Sequence, residues 1–143
     1  MGVLTDLFIA TDAEVERLAP DAIPLERFGG VDIKGVGTIK LAELDAILCG
    51  VDFDQAMDRI ELVRARSEKL GPWITRMPPE LVAALAALDE TEIVSYGERW
   101  AATEEFVEDG WYPEDVVVVL GQMVELARHA VADGKAVYAW TSL

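Results

Sequence analysis

Apolar positions along this chain recur with two periods, and the switches between them divide it into elements. Residues 3–10 combine β-branched and aromatic side chains with one polar break, the pattern of a strand. Thr11 stands three residues before Glu14, the spacing of a capping box, and opens a short helix. Pro20 and Pro24 are read as its stop and the start of a loop. Glycines 29, 30, 35 and 37 mark a turn-rich connection whose middle has room for a short extended piece.

Helical spacing returns with Leu41, Leu44 and Leu48, with Thr38 as the expected cap and Gly50 as the left-handed end. Asp52 or Asp54 begins a short helix through Arg59. In residues 60–66, Ile60 and Leu62 alternate with Glu61, while Val63 and Ala65 face the opposite way. A turn at 68–72 leads to a second strand at 73–77, and the two are expected to pair as a hairpin.

Pro78, Pro79 and Glu80 start the next helix, because proline suits the first turn and an acid favours its positive end. Leu81, Leu85 and Leu88 line its inner face, with Val82 beside them. Asp89 and Glu92 box the start of another helix, read as continuous through Ile93, Tyr96, Trp100, Thr103 and Val107 on one face. After a turn at 109–113, Pro113, Glu114 and Asp115 open the last helix, with Leu120, Met123, Ala127 and Ala130 inward. Val116 to Val119 favour a strand on propensity, but the flanking caps and the later spacing decide for helix. Gly134 ends it, and residues 135–141 close the chain as a strand with Val137 and Ala139 on one side and Tyr138 and Trp140 on the other.

Strands at the start, middle and end with helices between them predict an α+β fold. The expectation is one domain over residues 1–143, a small mixed or antiparallel sheet with about five helices packed on it. A chain that is 52% hydrophobic supplies its own core without a disulfide or metal staple.

Charge changes the picture more. With 27 acids against 12 bases, a net charge of −15 repels nucleic-acid backbones and anionic membrane surfaces. The acidity serves either solubility or the capture of a partner with a basic face by electrostatic steering. No apolar stretch, residues 116–121 included, is long enough to span a bilayer. The first residues lack a basic leader, and Gly2 with Asp6 does not complete an acylation signal. The single cysteine, Cys49, cannot form an internal disulfide and fits a reducing compartment. A soluble, cytoplasmic protein is therefore expected.

The tests for chemistry fail one by one. Gly30 and Gly35 have phosphate-loop spacing, but Val36 and Gly37 stand where lysine and a hydroxyl are needed. The dinucleotide fingerprint fails at Lys40, where a third glycine belongs. Asp52, Asp54 and Asp58 resemble the start of a calcium loop, but Met57 and Val63 occupy its glycine and closing-acid positions. One His and one Cys exclude the usual zinc sets, and nothing in the sequence joins His129 to Cys49. Ser67, Ser95 and Ser142 lie in no nucleophile-elbow pattern. No cofactor, metal or catalytic residue is therefore assigned.

One cluster stands out. Trp100, Trp111 and Tyr112 lie near Arg99, Glu104 and Glu105, and these six are the candidate binding surface for a basic partner. Core packing at a helix–turn–helix corner is the other reading of the same aromatics. Glu104, Glu105, Glu108 and Asp109 are placed near a helix C-terminus, where they oppose its dipole.

The opening Met1-Gly2-Val3-Leu4-Thr5-Asp6-Leu7-Phe8, the helix end Leu44-Asp45-Ala46-Ile47-Leu48-Cys49-Gly50 and the finish Gly134-Lys135-Ala136-Val137-Tyr138-Ala139-Trp140 together resemble a group of uncharacterised bacterial proteins. Their layout is distantly similar to the YfbM-like family, which implies an α+β fold and brings no activity or functional residues. Two functions are thus expected to compete. One is a non-enzymatic acidic binding or regulatory protein, such as an immunity or inhibitor protein. The alternative is a small enzyme or ligand-binding protein that uses carboxylates and aromatics in a pocket.

Overall fold

The computed structural model describes residues 3–143, so Gly2 of the acylation reading lies outside it. Strand β1 (Leu4–Ala10) is followed by α1 (Asp12–Glu16), α2 (Pro24–Phe28) and the short β2 (Val31–Asp32). Next come α3 (Thr38–Cys49), α4 (Phe53–Arg59) and the hairpin β3 (Glu61–Ala65) and β4 (Trp73–Arg76). The chain finishes with α5 (Pro79–Ala86), α6 (Glu90–Ala101), α7 (Glu104–Glu108), α8 (Pro113–Asp133) and β5 (Ala136–Ser142).

Local chemistry explains most of these boundaries. Capping boxes form at Thr11 with Glu14, Asp52 with Gln55, and Asp89 with Glu92. The first of these draws the Glu14 carboxyl below its usual range, chiefly because it accepts the Thr11 backbone N–H. Gly50 and Gly134 end α3 and α8 in left-handed conformations.

Three expectations need correction. Pro24 does not belong to a loop: it opens α2, because the first helical position needs no N–H. Thr38 is the first residue of α3 rather than its cap; Gly37 precedes it, and no side chain caps this helix. The single helix through Val107 breaks after Ala101. There Thr103 turns extended, with φ −69° and ψ 154°, and its hydroxyl donates to the Trp100 carbonyl at 2.6 Å. The break sends Phe106 inward and leaves Val107 in solvent. With these added elements, the described residues hold eight helices where about five were expected.

The five strands form one antiparallel sheet in the order β2-β1-β5-β4-β3. Each face carries a core around β1 and β5, while β3 has no buried residue. Leu7, Val137 and Ala139 belong to the larger core with α3, α5, α6 and α8, whereas Phe8, Ile74 and Tyr138 belong to a smaller core with Val15 and Leu18 around α1. Phe8 stacks between Phe28 and Tyr138, with ring centres 5.5 and 5.6 Å away. Helices α6 and α8 cross where Gly97 allows it: a Cβ there would lie 2.7 Å from the Val117 side chain.

Candidate functional site

The break between α6 and α7 builds a corner of three aromatic rings. Trp100 is fully buried and meets Phe106 edge-on at 4.9 Å; Phe106 in turn meets Trp111 at 5.1 Å. The Trp100 indole N–H donates to the backbone carbonyl of Lys40 at 2.8 Å, which ties the corner to the first turn of α3.

Lys40 is the centre of this arrangement. Its side chain is only 6% exposed. The ammonium donates to the Gly35 carbonyl at 2.7 Å and to the Asp109 carboxylate, and lies 5.0 and 5.8 Å from the rings of Phe106 and Trp111. Gly35 is required here, because its φ is 90° and a Cβ would stand 2.9 Å from the Trp111 ring.

The six residues singled out in the sequence therefore divide. Trp100 is core, and its indole N–H is spent on α3. Trp111 is half-buried against Gly35 and Lys40. Arg99 is exposed and sits over the Tyr96 ring at 5.2 Å. Glu104 and Tyr112 are exposed, Tyr112 at 68%, and Glu105 is half-buried. Glu104 and Glu105 occupy the first turn of α7, so they suit its dipole rather than oppose it; Glu108 and Asp109 stand at the unfavourable end.

The result is an acidic ridge. The Glu108 carboxyl is pushed above its usual range, first by the neighbouring Glu104 charge, then by partial desolvation, Glu105 and Asp109. Ion pairs among the described residues engage only five of the 27 acids, so little within the chain offsets this repulsion.

Beside the ridge lies a cleft of about 630 Å³. Glu105 and Asp109 stand on its α7 side, Ile39 and Lys40 on its α3 side, and Leu62 and Trp73 on the sheet. The Trp73 indole is held by donation to the Glu68 carbonyl at 3.1 Å. Leu62, on the edge strand β3, is 54% exposed. The volume suits a ligand or an anchoring side chain, and the lining is partly apolar with acids on one wall.

Other titratable groups lie away from this cleft. A second cleft of about 420 Å³ contains Asp12, Arg76 and Lys135. Arg76 bonds Asp12 at 3.4 Å, Lys135 lies 3.8 Å from Glu14, and the Tyr138 hydroxyl donates to Asp12. Burial, and then Asp12, push the Tyr138 hydroxyl well above its usual range. Cys49 is half-buried near Asp45 and Arg59, and its thiol is pushed up, first by burial. His129 lines a different depression with Val31, Gln122 and Glu125.

Lys40, Leu62 and Trp73 were missed as site residues. A signal for Lys40 existed: a lysine in the first turn of a helix stands against the dipole and calls for a compensating acid. Nothing local marks Leu62 or Trp73, because each reads as an ordinary strand residue.

No family model matches the chain, and no solved structure matches it. Over 110 residues, 70% of the chain, it is 29% identical to adenine deaminase 2 of Jannaschia sp. (strain CCS1). The chain spans 18% of the length of that curated relative. Among the described residues, no helix is long and apolar enough to cross a membrane, and no three His, Cys, Asp or Glu residues gather as a metal set.

Proposed function

We propose that this is a non-enzymatic binding or regulatory protein of the cytoplasm that holds a basic protein partner on the α7 ridge. An immunity or inhibitor protein is one concrete form. The observation that carries this reading is the self-repelling ridge: Glu104, Glu105 and Glu108 crowd one short helix, beside exposed Val107 and Tyr112. A cation set among these acids relieves their repulsion, and the exposed apolar side chains add contact area. Kinship with YfbM-like proteins belongs to the same proposal. The likeness to adenine deaminase 2 spans too little of that protein to bring its activity here.

The test is retention of partners from source-cell lysate on the immobilised chain and on an E104Q/E105Q/E108Q variant. The expected result is a basic protein held at about 50 mM salt, released near 500 mM as screening shortens the range of the field, and lost from the variant. Retention indifferent to salt and variant would sink the reading. So would turnover by the purified chain that one carboxylate substitution abolishes without unfolding it.

A further inference from the structure

The ridge and the 630 Å³ cleft share a wall, because Glu105 and Asp109 belong to both. Lys40 binds Asp109 through one oxygen and is itself neutralised, while the Asp109 carboxylate stays 52% exposed. Glu105 engages in no ion pair among the described residues. This wall is therefore net negative. The remaining lining holds threonines 38, 75 and 141 and an apolar part, with Ile39 44% and Leu62 54% exposed beside Trp73.

One run of backbone polar groups borders the same cleft. No side chain caps the first turn of α3, which opens into it. Leu62, Trp73, Thr75 and Thr141, from three neighbouring strands, make the cleft's floor on one face of the sheet. Free amide N–H groups seek carbonyls, exposed leucine and isoleucine seek an apolar side chain, and the acids seek a cation. An extended polypeptide supplies all three at once; a simple organic amine supplies no carbonyl.

The geometry points to this cleft as the docking groove for an extended basic segment of the partner, an apolar residue next to Lys or Arg. The apolar side chain enters between Leu62, Trp73 and Ile39, and the adjacent cation meets Glu105 and Asp109. This rests on the reading above that the partner is basic, and adds where and through which pair of side chains it is recognised.

The probe is a capped peptide, Gly-Leu-Arg-Lys-Arg-Gly, and its counterpart with glycine replacing leucine, titrated by calorimetry at low salt. The wild-type chain is expected to bind the leucine peptide about tenfold more tightly, the effect of burying one such side chain in part. In Leu62→Ser that preference falls to about twofold, whereas Glu105→Gln weakens both peptides by about two- to fivefold. Should Leu62→Ser fail to fold by circular dichroism, Ile39→Ser takes its place. Equal binding of both peptides, unchanged by Leu62→Ser but weakened by E104Q/E108Q, overturns the groove and leaves the basic-partner reading standing. If neither peptide binds at millimolar concentration, both fall.

Discussion

Helix α3 buries two opposite charges five residues apart and supports them very differently. Lys40 meets a carboxylate, a carbonyl and two ring faces. Asp45 is fully buried, neither of its carboxylate oxygens accepts a hydrogen bond, and its one ion pair is with the Arg59 Nε at 3.5 Å. A buried charge costs little when several partners share its solvation and much when one partner carries it alone. Lys40 is therefore the better-supported charge and Asp45, paired only with Arg59 of α4, the weaker one.

The largest expected effect breaks the weaker side. Arg59→Met leaves Asp45 buried and unpaired, and urea denaturation at pH 7 should show a loss of about 3–5 kcal/mol. Adding Asp45→Asn in that background should recover much of it, since the stranded charge is then gone.

Lys40→Met tests the better-supported side. It forfeits two charged hydrogen bonds, but Asp109 is half in solvent and rehydrates, so the expected loss is about 1–3 kcal/mol. A loss exceeding that of Arg59→Met would reverse the comparison.

Cys49 offers a reporter for Asp45. Burial raises its thiol first and the Asp45 carboxylate adds to this, so iodoacetamide should react slowly at pH 8. Asp45→Asn should speed that reaction about threefold, measured by mass spectrometry under native conditions.

The smallest effect concerns the ridge. Because the Glu108 carboxyl is held high, its ionised form is disfavoured in the fold. That penalty is present at neutral pH and disappears once pH falls below the ordinary glutamate value of about 4.3. Glu108→Gln should therefore raise the melting temperature at pH 7 and leave it unchanged at pH 3. A gain at both pH values would mean that packing, not repulsion, is responsible.

Much of the fold was legible locally. The capping boxes, the inward faces of α5 and α8, and the β3–β4 hairpin follow from caps and periodicity, which act over a few residues. The error at residues 102–103 came from the same source: the heptad-like spacing of Ile93, Tyr96, Trp100 and Val107 continues through a bend that the Thr103 hydroxyl and the burial of Phe106 impose. The candidate site was half legible. Its acids and aromatics stand together in the chain, but whether a tryptophan faces water or core depends on what packs against it.

The sequence by itself determined the net charge, the positions of most elements and the side of each that is apolar, because these depend on residue type and local geometry. Only the tertiary structure decided that β1 and β5 meet at the sheet's centre and that Trp100 reaches the Lys40 carbonyl 60 residues away. It likewise decided that Glu105 and Leu62 share a cleft. Such meetings are set by how whole elements pack, and the packing energy of a sheet with a core on each face is not written in any one segment.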